Sequence, residues 1–174
     1  MQKTDSLRDV RWLCITAVFM AMTIVLSMSI FSIPVPGGHL YLCDVIICTA
    51  AILLNPLPAF CVGGIGSFLG DMLFYPAPMF VSLVTHGLQA VAISLIVRKY
   101  AGKHPLRASI LAVAVGSVIM VVGYTLGRAY VYATPEYAVI KLPYEILQAL
   151  IGAVASVILV HRFKLGKLLR RGRS

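Results

Sequence analysis

Charged residues are scarce in this sequence. Only 12% of its 174 residues are charged, and only 6 are Asp or Glu. A soluble domain of ordinary composition is about a quarter charged and roughly half apolar, whereas 60% of this chain is apolar and its mean hydropathy is +0.93. These values exclude the soluble, disordered and collagen-like classes. The class that remains is an integral membrane protein.

Motifs of catalysis and nucleotide binding are also lacking. The chain has no G-x-x-x-x-G-K-[ST] loop for ATP phosphates, and no H-E-x-x-H or G-x-S-x-G motif of a hydrolase. No His and Asp pair has the spacing of a recognisable metal site. Its cysteines form no C-x-x-C pair and are interpreted as buried small hydrophobes; they are Cys14, Cys43, Cys48 and Cys61. The sequence therefore predicts no enzyme, no metal and no cofactor.

What the chain does contain is a series of apolar runs, separated by proline, glycine or basic breaks. Since a membrane-spanning helix needs about 20 predominantly apolar residues, the length allows about six spans. The sequence predicts one all-α membrane domain over residues 1–174, a compact bundle of six transmembrane helices with a basic tail at 161–174. The predicted helices cover about residues 12–33, 42–54, 59–74, 79–97, 108–131 and 139–160.

The distribution of positive charge predicts the orientation. A net charge of +9 in a soluble protein suggests nucleic acid. Here three basic residues precede the first run, four lie between the fourth and fifth, and six lie in the tail. Because cytoplasmic loops carry the excess of Lys and Arg, we expect both termini in the cytoplasm and no nucleic-acid partner. The loops after helices one, three and five are then outside.

Polar side chains within the membrane are costly and tend to mark function. In this orientation, five segments place their polar side chains at a similar depth near the outer side of the membrane. The inner halves of the same helices are almost wholly apolar. Pairs three or four residues apart share a helix face. The asymmetry predicts a pocket that opens outward, since a channel needs a polar lining through its whole length. The predicted binding residues are His39, Tyr41, Asp44, Asp71, His86, Gln89, Tyr124, Arg128, Glu145 and Gln148.

Several of these polar residues also have a purely structural interpretation. Asp44 is suited to cap the second helix, and Asp71 to pair with Arg128. Arg128 and Lys141 are placed to extend toward the outer lipid headgroups. Three further tyrosines have positions typical of the aromatic belt at a membrane interface; they are Tyr75, Tyr130 and Tyr132.

Four stretches together resemble a known family. They are residues 39–44 (H-L-Y-L-C-D), 63–71 (G-G-I-G-S-F-L-G-D), 116–124 (G-S-V-I-M-V-V-G-Y) and 147–152 (L-Q-A-L-I-G). The first is similar to the H-L-G-D motif, and the second to the G-G-I-G-S-x-L-A-D motif, of S-components. These are the substrate-binding membrane subunits of energy-coupling factor (ECF) transporters. The resemblance is to the subgroup assigned to uptake of thiamine pyrimidine, pyridoxine or queuosine precursors.

Three positions depart from the pattern of that subgroup. His86 precedes Gly87 where the subgroup usually has lysine before glycine, Arg128 stands where a glutamate is frequent, and Cys43 replaces a glycine. All three lie in the predicted pocket, so they affect which substrate the resemblance implies.

The resemblance implies a mechanism and partners. An S-component binds a vitamin-like ligand in an outward pocket closed by the loop between helices one and two. It then docks on a transmembrane coupling protein driven by two cytoplasmic ATPases, so ATP hydrolysis is expected on separate subunits. The A-x-x-x-A pattern at Ala17 and Ala21 is similar to the contact with the coupling protein. The implied location is the plasma membrane of a prokaryote, in the lipid bilayer.

The residues of the predicted pocket suit a small nitrogen heterocycle, such as hydroxymethylpyrimidine, pyridoxine or a queuosine precursor. The carboxylates of Asp71 and Glu145 are acceptors for ring N–H groups or an amine. Gln89 and Gln148 donate and accept together, and Tyr124 offers a ring face for stacking.

Two other functions remain as alternatives. A small intramembrane enzyme acting on lipid would need Asp71, His86 and Glu145 within hydrogen-bond reach as acid and base. A self-sufficient secondary transporter is disfavoured by the apolar inner half and by the lack of an internal repeat.

Overall fold

A computed structural model describes residues 10–28, 32–102 and 104–165, which form six helices and a β-hairpin. The hairpin joins the first two helices and pairs β1 (Ile33–Val35) with β2 (Gly38–Leu40) in antiparallel register. The predicted all-α bundle of six helices is confirmed. The cytoplasmic location of the termini stays a prediction. The helices are α1 (Val10–Leu26), α2 (Cys43–Leu53), α3 (Pro56–Phe74), α4 (Met79–Tyr100), α5 (Pro105–Tyr132) and α6 (Pro135–His161).

Four of these helices, α3 to α6, are long and apolar enough to cross a membrane. α1 and α2 are shorter apolar helices of 17 and 11 residues. At 1.5 Å per residue, α2 is about 16 Å long, roughly half of the hydrocarbon core. Eight of its residues are nevertheless buried, because it packs against α1, α4 and α6 inside the bundle.

The first helix ends earlier than predicted. α1 ends at Leu26, whereas the prediction continued to residue 33. The apolar run does continue, but Pro34 disfavours helical conformation at Ile33, which pairs instead with Leu40 across the hairpin. The turn places Pro36 before Gly37, whose φ of +80° is the positive value that a type II turn requires at this position.

The remaining boundaries differ from the predicted ones by at most four residues, and those at Phe74 and Met79 coincide. α3, α5 and α6 begin at Pro56, Pro105 and Pro135, three or four residues before the predicted starts. Proline suits the first helical turn because its missing N–H would be unpaired there in any case. Of the predicted basic tail, residues 166–174 lie outside the described residues.

Small residues on α3 allow close approach of neighbouring backbones, as their spacing predicts. A Cβ atom at Gly63 would lie 2.6 Å from the carbonyl oxygen of His86 on α4. One at Gly70 would lie 2.7 Å from the Cβ of Ser27, just after α1. A π-helical segment, Cys61–Ile65, interrupts α3 at this contact. α3 therefore sits tightly between α1 and α4, which fixes where its polar residues lie.

Candidate ligand-binding cavity

A cavity of about 250 Å³ lies beside the β-hairpin. The hairpin, the residues after it, and all four long helices contribute to its wall. Its polar lining includes Ser67 and Asp71 from α3, His86 from α4, Tyr124, Arg128 and Tyr132 from α5, and Lys141, Glu145 and Gln148 from α6. Polar side chains from separate segments thus converge on one space.

Most of the predicted binding residues line this cavity. They are His39, Tyr41, Asp71, His86, Tyr124, Arg128, Glu145 and Gln148. Asp44 and Gln89 lie behind the lining and are hydrogen-bonded to residues within it. That any of these residues contacts a ligand stays a prediction.

Asp44 is the centre of a buried amide network. Its Oδ2 accepts a hydrogen bond from Nε2 of Gln148 at 2.6 Å, and its Oδ1 accepts from Nε2 of Gln89 at 3.2 Å. Oε1 of Gln148 in turn accepts from the backbone N–H of Tyr41 at 2.9 Å. No side-chain hydrogen bond caps the N-terminus of α2, although Asp44 lies in its first turn, where an acid is favoured. Asp44 joins α2 to α4, α6 and the chain segment after the hairpin.

This network also assigns the tautomer of His86. A carboxylate only accepts hydrogen bonds, so Gln89 must direct its NH₂ group at Asp44 and its Oε1 at His86. Oε1 lies 2.7 Å from Nδ1 of His86, and Nδ1 is therefore the donor. In the neutral ring, Nε2 is then an acceptor. His86 accordingly calls for a ligand group that donates a hydrogen.

A second chain of hydrogen bonds links α3, α4 and α5. Ser82 donates to Oδ2 of Asp71 through a short contact. Oγ of Ser82 also lies 2.5 Å from the hydroxyl of Tyr124. Because Ser82 has one hydrogen and gives it to the carboxylate, Tyr124 is the donor to Ser82. The ring of Tyr124 also meets His86 edge-on, with centroids 5.2 Å apart.

Arg128 pairs with Glu145, and the expected pairing of Asp71 with Arg128 is not found. Nη2 of Arg128 lies 2.6 Å from Oε1 of Glu145, and its Nη1 donates to the carbonyl oxygen of Gly37 at 3.1 Å. Nζ of Lys141 donates to the carbonyl oxygen of His39 at 2.5 Å. Two cations from α5 and α6 thus hold the hairpin by its backbone.

Lys141 is the most informative residue that the sequence interpretation missed. Its side chain is buried, with 3% exposure, so the expected extension toward lipid headgroups is wrong for Lys141. It precedes Glu145 by four residues, a spacing that places both on one helix face and would have identified it. Ser67 precedes Asp71 by the same interval and also lines the cavity.

The belt interpretation of the tyrosines stays a prediction, and Tyr75 is 55% exposed. Tyr75 and Tyr132 line the cavity, and Cζ of Arg128 lies 5.4 Å from the centroid of the Tyr132 ring. Tyr130 is 79% exposed, as a belt residue would be. The four-residue interval between Arg128 and Tyr132 places both side chains on one helix face, and it could have predicted their contact from the sequence.

Two buried polar atoms of the lining have no hydrogen-bond partner among the described residues. They are Oγ of Ser67 and Nε of Arg128. Buried polar groups are nearly always paired, so each such atom needs an explanation. Each atom has almost no accessible surface, so a ligand in the cavity can pair with it only if the side chain moves.

Tyr41, just before α2, keeps its proton. Burial raises the pKa of its phenol to about 12, with a further contribution from the negative charge of Asp71. The hydroxyl is therefore a hydrogen-bond donor at neutral pH.

A mixed cluster at the cavity wall has the donor atoms of a metal site. One ligand atom each from Cys43, Asp44 and His86 lie within 4.8 Å of one another. Both oxygens of Asp44 and Nδ1 of His86 already make hydrogen bonds to amide groups of Gln89 and Gln148. A cation here would have to replace those bonds.

Comparisons with known proteins agree with this architecture. A family model described as "ECF-type riboflavin transporter, S component" matches residues 8–165. A Pyrococcus woesei protein described as "Uncharacterized protein in gap 3′ region" is 31% identical over 134 residues, which are 77% of this chain and 88% of that protein. The solved structure of the S component of a bacterial ECF transporter superposes with a TM-score of 0.67 at 16% identity. That alignment covers 88% of this chain and 95% of that one.

Proposed function

Because the chain belongs to the family of ECF-type transporter S components, we propose that it is the high-affinity substrate-binding subunit of an ECF-type importer. The family consists of transport components and not of enzymes, and the chain is a multi-pass protein of the prokaryotic plasma membrane. In this proposal the cavity beside the hairpin is the ligand site and opens to the outside.

The proposal is supported by a partly open cavity on which polar side chains from separate helices converge. Asp71, His86, Tyr124 and Glu145 come from four different helices and all line this one space. Polar residues inside a membrane protein are costly and tend to mark function.

The size and chemistry of the cavity support a small nitrogen heterocycle. Its volume of about 250 Å³ is slightly below the usual range of small-molecule pockets, about 300–1,000 Å³. Asp71 and Nε2 of His86 are acceptors for ring N–H or amino groups, and Tyr124 offers a ring face. The proposed ligands are hydroxymethylpyrimidine, pyridoxine and a queuosine precursor. Riboflavin, which the family description mentions, has three rings and a sugar-alcohol chain and needs more space.

The coupling partners belong to the same proposal. Ala17 and Ala21 lie on an exposed face of α1, where small residues allow another helix to approach closely. We propose that this face contacts the transmembrane coupling protein, and that two cytoplasmic ATPases bound to that protein hydrolyse ATP.

The test is to identify the ligand that the protein carries. The protein is purified in mild detergent and denatured, and any small molecule released is identified by mass spectrometry. The native protein is then titrated by calorimetry with hydroxymethylpyrimidine, pyridoxine, queuine and its precursors, and riboflavin. We expect one heterocycle to bind tightly at one molecule per chain.

Three outcomes would contradict the proposal. If none of these compounds binds and no molecule is released, the proposal that the chain binds a substrate fails. Turnover of lipid by the purified protein would favour the intramembrane enzyme. Uptake into vesicles that contain this protein alone would favour the self-sufficient transporter.

A further inference from the structure

The wall formed by α5 and α6 carries more positive than negative charge. Arg128, Lys141 and Glu145 all line the cavity there, and Glu145 is the carboxylate paired with Arg128. Lys141 is bound to a neutral carbonyl oxygen, that of His39. Glu145 also attracts Lys141, so two buried cations share one carboxylate, and a buried charge that is not fully compensated costs several kcal/mol. This wall therefore lacks one negative charge.

Lys141 has donors for a ligand group in the same place. An ammonium group has three donors, and the carbonyl oxygen of His39 takes one of those of Lys141. Because Lys141 lines the cavity, it can bind a ligand group and keep its bond to the hairpin.

The two cations are close enough to share one ligand group. A Cβ atom built on Gly38 would lie 3.9 Å from Nη1 of Arg128 and 4.0 Å from Cε of Lys141, so those two atoms are less than 8 Å apart. A carboxylate or phosphate makes charge-assisted bonds of about 2.8 Å through separate oxygens, and one such group can reach both side chains.

Two polar residues elsewhere in the lining, Asp71 and His86, have the opposite character. Asp71 and Nε2 of His86 both accept hydrogen bonds, as described above. A ligand with N–H or amino donors on its ring and a negative charge on a substituent matches both walls at once.

Resting on the proposed binding function, we propose that the ligand carries an ionised carboxylate or phosphate group that binds Arg128 and Lys141 beneath the hairpin. The ring of the ligand then lies toward Asp71 and His86. Among vitamin-like heterocycles, this selects acidic or phosphorylated members over their neutral forms.

The test compares acidic and neutral forms of the same ring by calorimetry on the purified full chain. The carboxylate arm uses nicotinate against nicotinamide and 4-pyridoxate against pyridoxine. The phosphate arm uses pyridoxal 5′-phosphate against pyridoxal. Any molecule released from the native protein is tested against its own amide or dephosphorylated form. We expect the charged form to bind at least tenfold more tightly than the neutral one in one arm.

Variants show whether the charge acts through these residues. Lys141→Gln should lower the affinity for the charged form at least tenfold more than the affinity for the neutral form, whereas Lys141→Arg should retain most of the affinity. Lys164→Gln, at an exposed position after α6, is the matched control. Glu145→Gln shows whether the ligand instead donates to this carboxylate. If a variant fails to fold, the ligand pairs on the native protein decide.

The results that overturn the inference are distinct from those that overturn the function. A tightly bound neutral or cationic heterocycle, or a charged one that Lys141→Gln does not affect, would refute the anionic group while substrate binding stands. A loss of affinity in Glu145→Gln would show that the ligand offers a donor here. If nothing is released and no compound binds, both the function and the inference fail.

Discussion

Gly63→Ala tests the contact that positions His86. The new Cβ would lie 2.6 Å from the carbonyl oxygen of His86, 2.9 Å from Cβ of Ala90 and 3.1 Å from Cγ2 of Ile47. The first of these is a main-chain atom and cannot move to another rotamer. Reaching an ordinary contact of about 3.4 Å requires α3 and α4 to separate by roughly 0.8 Å, and such overpacking costs about 1–3 kcal/mol.

That displacement reaches the ligand site through α4. The hydrogen bond from Gln89 to Asp44 is 3.2 Å long, and a shift of about 0.8 Å would lengthen it beyond hydrogen-bond range. His86 would lose its fixed tautomer and move relative to the cavity. We expect the variant to unfold several degrees below the native protein in detergent, and to bind the ligand at least tenfold more weakly in calorimetry.

The control is Gly102→Ala, since a Cβ atom at Gly102 would meet nothing within 4 Å. This variant should match the native protein in both measurements. If Gly63→Ala were as stable as the native protein and bound ligand equally tightly, the close contact between α3 and α4 would not position the site.

Two further predictions concern single side chains. Ser82→Ala removes the hydroxyl between Asp71 and Tyr124, and calorimetry should show ligand affinity lowered about tenfold. Unchanged affinity would show that these hydrogen bonds do not position the ligand site. Ala17→Trp should leave ligand affinity intact but abolish ATP-driven uptake in vesicles with the coupling protein and ATPases. Ala114→Trp, also at an exposed alanine, should leave both intact, and equal uptake by the two variants would argue against docking at α1.

The helices were predictable from the sequence because each apolar run is bounded by proline, glycine or charge. The hairpin was not, because residues 27–33 contain four apolar residues and three serines and were included in the first apolar run. The deciding factors are local and conformational: Pro34 and Pro36 exclude helix, and Gly37 accepts the positive φ of the turn. A count of apolar residues contains none of this information.

Much of the cavity lining followed from one physical argument, the common depth of polar residues in several runs. The pairing of these residues did not follow, because it depends on how each helix is rotated about its axis. The sequence interpretation paired Arg128 with Asp71, whereas the fold pairs it with Glu145. Lys141 was missed because its burial depends on the hairpin, whose carbonyl groups give it a partner inside the protein.

Equilibrium binding by a variant whose cavity is filled tests most directly whether this cavity is the ligand site. Ser67 is 2% exposed and lines the cavity, so Ser67→Leu places a larger apolar side chain at the wall of the ligand site. Ala114→Leu is the control at an exposed position. We expect one bound ligand per chain for the native protein and the control, and no measurable binding for folded Ser67→Leu. Equal binding by all three proteins would contradict it.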